Sequence, residues 1–216
     1  VIPTIRIKEL VYIVFEYPLG RAISQVLGKH FPSIVRTGFN HGDYSWRFLN
    51  YFLAKGEASA NPPYSSKCPI PDRVLAEDDL CAEIYRYNGY QQVSLMPKVA
   101  RLVYLTNITP EKNPQLSLVA AGLHDGETLM RMMLPTIIAD PNQTFILKTH
   151  PRARNGYVDL FDKVSNLQIS TQSIDAILSI VGRVYVTYSG VGVEAYRLGI
   201  PVTIVDIPGN IAWSKL

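Results

Sequence analysis

Apolar positions fall into short runs separated by turn formers, and the runs alternate between strand-like and helical spacing. Residues 10–15 (LVYIVF) are a β-rich apolar run, read as a buried strand. Pro18 suits the first turn of a helix, and Leu19, Ile23, Val26 and Leu27 give helical spacing over 19–29. A second strand is expected at 33–39, ending in the loop Asn40-His41-Gly42-Asp43. Ser45 is then expected to cap a helix through Trp46, Leu49 and Phe52. Residues 55–71 read as a Pro-rich loop, 72–76 as a strand, and 77–88 as an amphipathic helix ended by Gly89. The apolar run at 99–106 is followed by NITPEKNP at 107–114, where turn formers cluster and the pattern lapses.

Beyond that point the alternation is regular. Strands are expected at 116–121, 144–148, 167–170, 183–187 and 202–205. Helices are expected at 127–139, 157–164, 174–181 and 191–198. This rhythm means βαβ units and parallel sheets covered on both faces. The expected fold class is α/β: two small Rossmann-like domains with parallel sheets, facing a cleft. They divide as 1–107, a linker at 108–114, and 115–216.

Composition narrows the function. The 216 residues are 47% hydrophobic and 18% charged, so the chain can bury a core and is not disordered. Its 21 basic and 18 acidic residues leave a net charge of +3, too balanced for a dedicated nucleic-acid binder. The small excess suits an anionic small molecule. Cys68 and Cys81 cannot build a disulfide framework, and no Cys/His spacing fits zinc. No apolar run reaches the ~18 residues that span a bilayer, and no signal peptide is read. A cytoplasmic location, free or membrane-peripheral, is the expectation. The start at Val1 leaves open a larger parent chain.

In open α/β sheets ligands bind at the carboxyl ends of strands, so the residues just after each strand carry the candidate chemistry. After the 183–187 strand comes YSGVGVEAYRLGIPV (188–202). Ser189, Gly190, Val191 and Gly192 form a strand–helix turn whose backbone N–H groups and helix dipole favour a phosphate, and Glu194 one turn on could reach a ribose hydroxyl. The plainer reading is a tight turn using glycine for packing. After 144–148 come Thr149, His150, Pro151 and Arg152. An imidazole held by proline, with Lys148 and Arg152 adding charge, suits a nucleotide or its phosphate; a capping loop with incidental basic residues is the alternative. After 116–121 comes Gly122-Leu123-His124-Asp125-Gly126, where Asp125 reads first as a helix cap. In the first half, Glu16, His41 and Asp43 follow strands, where a general base for an acceptor hydroxyl belongs. Helix-start charges and caps are their plainer roles. Tyr188, Tyr196, Tyr12, Phe15 and Trp46 read as core or cleft walls.

Two segments, FILKTHP (145–151) and VYVTYSGVGVEAYRLGIPV (184–202), together resemble the C-terminal donor domain of GT-B glycosyltransferases. The likeness is to enzymes of bacterial surface-polysaccharide assembly, capsule and O-antigen transferases of the Kdo and sialic-acid type, which carry an HP motif and a Ser-Gly motif. VFEYPLGRA (14–22), TGFNHGD (37–43) and PIPDRVLAE (69–77) are similar to their acceptor half, with Asn40 where the pattern has Gln.

The resemblance implies that His150 contacts the nucleotide, Ser189 and Gly190 its phosphate, and Glu194 the ribose. Gly122, His124, Asp125, Lys148, Arg152, Val191 and Gly192 complete a donor-binding set, with Glu16, His41 or Asp43 catalytic. It also implies no bound metal, a nucleotide sugar as donor and a glycan hydroxyl as acceptor. UDP-hexose, UDP-rhamnose and CMP-Kdo or CMP-sialate donors remain open. So do a UDP-sugar 2-epimerase, a polyol-phosphate transferase and a non-catalytic nucleotide-binding module within a larger transferase.

Overall fold

The computed structural model describes residues 6–14, 18–40, 42, 44–47, 49, 52–58, 68–153, 156–211 and 213–216. Glu16, His41 and Asp43, the three acceptor-side candidates, lie outside the described residues. The chain divides into two compact units, Val1–Val99 and Ala100–Leu216.

The first unit is a parallel sheet in the order β1-β2-β3-β4: Glu9–Ile13, Val35–Phe39, Arg73–Ala76 and Val93–Leu95. Helix α1 (Pro18–His30) follows β1, and α2 (Asp79–Tyr87) joins β3 to β4. Asp78 caps α2 by accepting the Cys81 N–H at 2.9 Å, and Gly89 supplies the left-handed φ of 86° just past its end. Val14, Val74, Ala76, Ile84 and Tyr85 form the core. At the carboxyl end of β2, buried Asn40 accepts the Glu77 N–H at 2.6 Å and donates to the Gly42 carbonyl at 3.0 Å. That residue therefore braces two strand-end loops.

Among the described residues the helix expected from Ser45 is not seen: Trp46 and Arg47 lie in a turn. The aromatic spacing serves a different purpose, because Trp46 and Phe52 pack edge-on against Tyr87 of α2, with ring centroids 5.3 and 6.3 Å away. Strand β4 and the 3₁₀ segment Ala100–Asn107 were not distinguishable in the pattern.

The second unit is a five-stranded parallel sheet in the order β7-β6-β5-β8-β9. Its strands are β5 (Asn113–Ala120), β6 (Thr144–Lys148), β7 (Leu167–Ile169), β8 (Val181–Val186) and β9 (Val202–Ile204). Helices α3 (Gly126–Ala139), α4 (Ile174–Ile180) and α5 (Gly190–Arg197) make the crossovers, with a short 3₁₀ turn at Val158–Phe161. In β5 and just past its end, Val119 and Ala121 pack with Leu129, Met130 and Met133 of α3, while Leu118 and Ala120 of β5 pack with Ile177 and Leu178 of α4 and Ala195 of α5. Both faces are buried, which is why these strands read as unbroken apolar runs. No helix of the described residues is long and apolar enough to cross a membrane.

Candidate functional site

Strand order places the site. From β5 the chain crosses through α3 to β6 on one side, and from β8 it crosses through α5 to β9 on the other. β5 and β8 are neighbours, so the loops leaving their carboxyl ends diverge and open a crevice at a topological switch point. Two segments meet there: Ala121–Gly126 after β5, and Thr187–Gly190 after β8.

Asp125 sits at the centre of this meeting and is 6% exposed. It occupies the cap position of α3 but makes no side-chain cap bond. Instead one carboxylate oxygen accepts the Thr187 hydroxyl, and the other, Oδ1, is buried without a partner among the described residues. The cap expected of Asp125 is thus corrected: its carboxylate is drawn toward the strand-end threonine. Gly122 makes room for it. A Cβ there would meet Asp125 Oδ1 and lie 3.3 Å from the Tyr188 ring. Burial, then the Asp125 charge, pushes the Tyr188 phenol up, partly offset by a hydrogen bond from the His124 backbone N–H. The Tyr188 ring lies 5.6 Å from that of Trp213. Together with Thr187, Val205 and Ile207 these residues line a cavity of about 380 Å³.

The loop after β6 carries the basic candidates. His150 Nδ1 accepts the Arg152 N–H at 3.1 Å, so the neutral ring carries its proton on Nε2. Burial, then Arg152 and then His124, hold the His150 imidazole below its ordinary value of 6.5. Arg152 and His124 thus both act on the His150 ring. Lys148 ends β6, where its carbonyl accepts the Ala121 N–H at 3.0 Å and ties the two strand ends together.

Ser189 caps α5, its Oγ accepting the Val191 N–H at 3.4 Å, which leaves the hydroxyl proton to donate elsewhere. Gly190 presents a first-turn amide of the helix start, while the Val191 N–H is taken by the Ser189 cap. Gly192 has a packing role: a Cβ would stand 2.8 Å from Val186 Cγ2 and 3.6 Å from Val202 Cγ1. Glu194 faces Arg101, N to O 3.6 Å, and stands beside Tyr104, whose phenol burial and this carboxylate push up. Thr187, Tyr157 and Trp213 were not singled out as site residues by the sequence. Only the first could have been, as the last residue before a candidate turn.

No family model matches the chain, and no curated protein matches it. Solved structures do. A UDP-GlcNAc 2-epimerase from Neisseria meningitidis, bound to UDP-GlcNAc, superposes with a TM-score of 0.62 at 13% identity, covering 91% of this chain and 59% of that one. A kitacinnamycin glycotransferase superposes with a TM-score of 0.53 at 10% identity, covering 96% and 59%. This chain therefore spans less than two-thirds of either neighbour's length. Both are GT-B-like folds, and the likeness establishes the fold: α/β, with two parallel sheets flanked by helices.

Proposed function

We propose that the chain is a nucleotide-sugar-dependent glycosyltransferase, moving a sugar from its nucleotide to a hydroxyl of a growing glycan. The observation that carries this reading is the crevice at the switch point, where the loop into α3 with its buried Asp125 carboxylate meets the strand end that leads to the start of α5, the histidine and basic residues following the neighbouring strand β6. In it the phosphate of the donor takes the Gly190 N–H and the Ser189 hydroxyl beside Val191, and His150 donates from Nε2. Lys148 and Arg152 add countercharge, so the leaving phosphate is stabilised without a resident metal.

The base that takes the acceptor proton is a carboxylate or histidine. Glu16, His41 and Asp43 are candidates from the sequence, and Asp125 joins them because Thr187 fixes one oxygen and leaves the other without a partner. The second unit is the donor side and the first the acceptor side, in a cytoplasmic or membrane-peripheral enzyme of surface-polysaccharide assembly. The likeness to a UDP-GlcNAc 2-epimerase supports a second reading, in which the same nucleotide-binding unit isomerises the donor with no acceptor.

Thermal unfolding with UDP, CMP, GDP and their sugars tests the reading. A ligand at 100 times its Kd stabilises by about 2.7 kcal/mol. The expected result is a shift with one nucleotide class, lost in His150→Ala and Ser189→Ala and unchanged by EDTA. Turnover of the matching nucleotide sugar then separates the two enzymes: the transferase needs an acceptor hydroxyl, the epimerase does not. No shift with any nucleotide overturns both.

A further inference from the structure

A second cavity, of about 350 Å³, adjoins the first on the far side of His124. Its wall includes Gly126 and Glu127 at the start of α3, with Arg152 and Tyr157 from the loop after β6. Three observations distinguish it from an ordinary helix start. First, α3 runs for 14 residues and begins without a side-chain cap, because the Asp125 carboxylate has turned to Thr187. Its first-turn N–H groups lack that acceptor. Second, Tyr157 is 8% exposed, and its hydroxyl is buried with no hydrogen-bond partner among the described residues. That hydroxyl sits where a Gly126 Cβ would be, at the first residue of the helix. A buried donor left unpaired costs about 1–3 kcal/mol, so its retention at this point asks for an acceptor. Third, Arg152 is exposed at the cavity and forms no ion pair among the described residues. The acidic lining residue, Glu127, is already neutralised by Arg131, which reaches it at 2.7 and 3.0 Å.

Resting on the nucleotide-sugar reading, we propose that this cavity is a second anion subsite. It takes an oxyanion of the substrate on the α3 amides, with the Tyr157 hydroxyl as donor and Arg152 as countercharge. The phosphate assigned to Ser189 and Gly190 lies at a different helix start, so this subsite holds a second anionic group of the same ligand. That group is either the distal phosphate of a nucleoside diphosphate or a carboxylate on the transferred sugar. The phenol stays protonated as a donor at neutral pH, because burial and the charges of Asp125 and Glu127 push it up.

The test uses the full chain with Tyr157→Phe and Arg152→Gln. The first removes only an unpaired buried hydroxyl and the second an exposed side chain, so both are expected to fold. Binding of a nucleoside monophosphate is compared with its diphosphate, and of a neutral nucleotide sugar with one bearing a carboxylate. The expected result is a preference in the wild type for one of the doubly anionic ligands, reduced at least tenfold in both variants. Monophosphate affinity should change less than twofold in Tyr157→Phe, whereas Arg152→Gln, which also removes countercharge from the first phosphate, should weaken the monophosphate and weaken the doubly anionic ligand further. Preference for the diphosphate or for the acidic sugar identifies the source of the anion. No preference in the wild type, or the same preference in all three proteins, overturns the subsite while leaving the functional reading intact. Should no nucleotide bind, that reading fails and inorganic phosphate decides the subsite: stabilisation lost in Arg152→Gln supports it, and equal or absent stabilisation overturns it.

Discussion

Thr187 offers one hydroxyl to a carboxylate with two oxygens, and that single hydrogen bond keeps Asp125 at the switch point. The partners stand 62 positions apart in sequence. No local pattern could pair them, which is why the sequence reads Asp125 as a cap. What was legible of His150, Ser189 and Gly190 is their place just past the ends of β6 and β8, because the apolar runs stop shortly before them and Pro151 and Gly192 act locally on the backbone. Thr187→Val would leave the Asp125 carboxylate buried with neither oxygen paired, at a cost of about 1–3 kcal/mol. Urea denaturation should show that loss. The double variant Thr187→Val, Asp125→Leu should recover most of it, because no polar group is then left unpaired. It should not recover ligand binding. If the single and double variants lose equal stability, the Asp125–Thr187 bond is not what holds the turn.

At the scale of elements, the sequence was most informative where burial and capping agree. The TFILK strand at 144–148 coincides with β6 because both its faces are covered and turn formers bound it. Helix α2 was legible from its amphipathic spacing and Gly89. Strand β4 was not: it has three residues, half-buried or exposed, with no period to recognise. The spacing of Trp46 and Phe52 imitated a helix while serving an aromatic contact with Tyr87. At α5 the same side chain does two things, since Ser189 both caps the helix and is assigned to the phosphate. Two substitutions separate them. Ser189→Ala should cost about 1 kcal/mol through the lost cap and also weaken nucleotide binding. Ser189→Asp keeps a capping oxygen, so stability should stay near the wild type, while its negative charge should weaken phosphate binding further than alanine does. Denaturation midpoints and nucleotide titrations on the two variants read these effects independently. Equal nucleotide affinity in wild type and Ser189→Asp would remove the phosphate from this turn.

At the scale of the whole molecule, each unit has a core of its own, and the second has one on each face of its sheet. That arrangement is what independent folding requires. The turn-rich segment at 107–114 marks a boundary by composition, yet the second unit begins earlier, at Ala100. The reason is visible in the 3₁₀ segment. Leu102 and Leu105 are buried, and Arg101 faces Glu194 of α5. Strand β5 also starts at Asn113, inside the turn-rich stretch, where Pro114 and Asn113 disguise it. A fragment of residues 100–216 should therefore unfold cooperatively and keep the nucleotide affinity of the full chain, since every residue assigned to the donor lies within it. A fragment of residues 115–216 lacks two buried leucines, the Glu194 partner and the first residues of the central strand. Leucines of this kind are each worth roughly 1.5–3 kcal/mol when fully buried, against a total of about 5–15 kcal/mol for a typical domain. The shorter fragment should be mostly unfolded or rescued only by ligand. Circular dichroism melts of the two fragments, with and without the nucleotide that stabilises the full chain, measure this directly. Equal stability in both would place the boundary at the turn formers after all and reduce residues 100–114 to a tether.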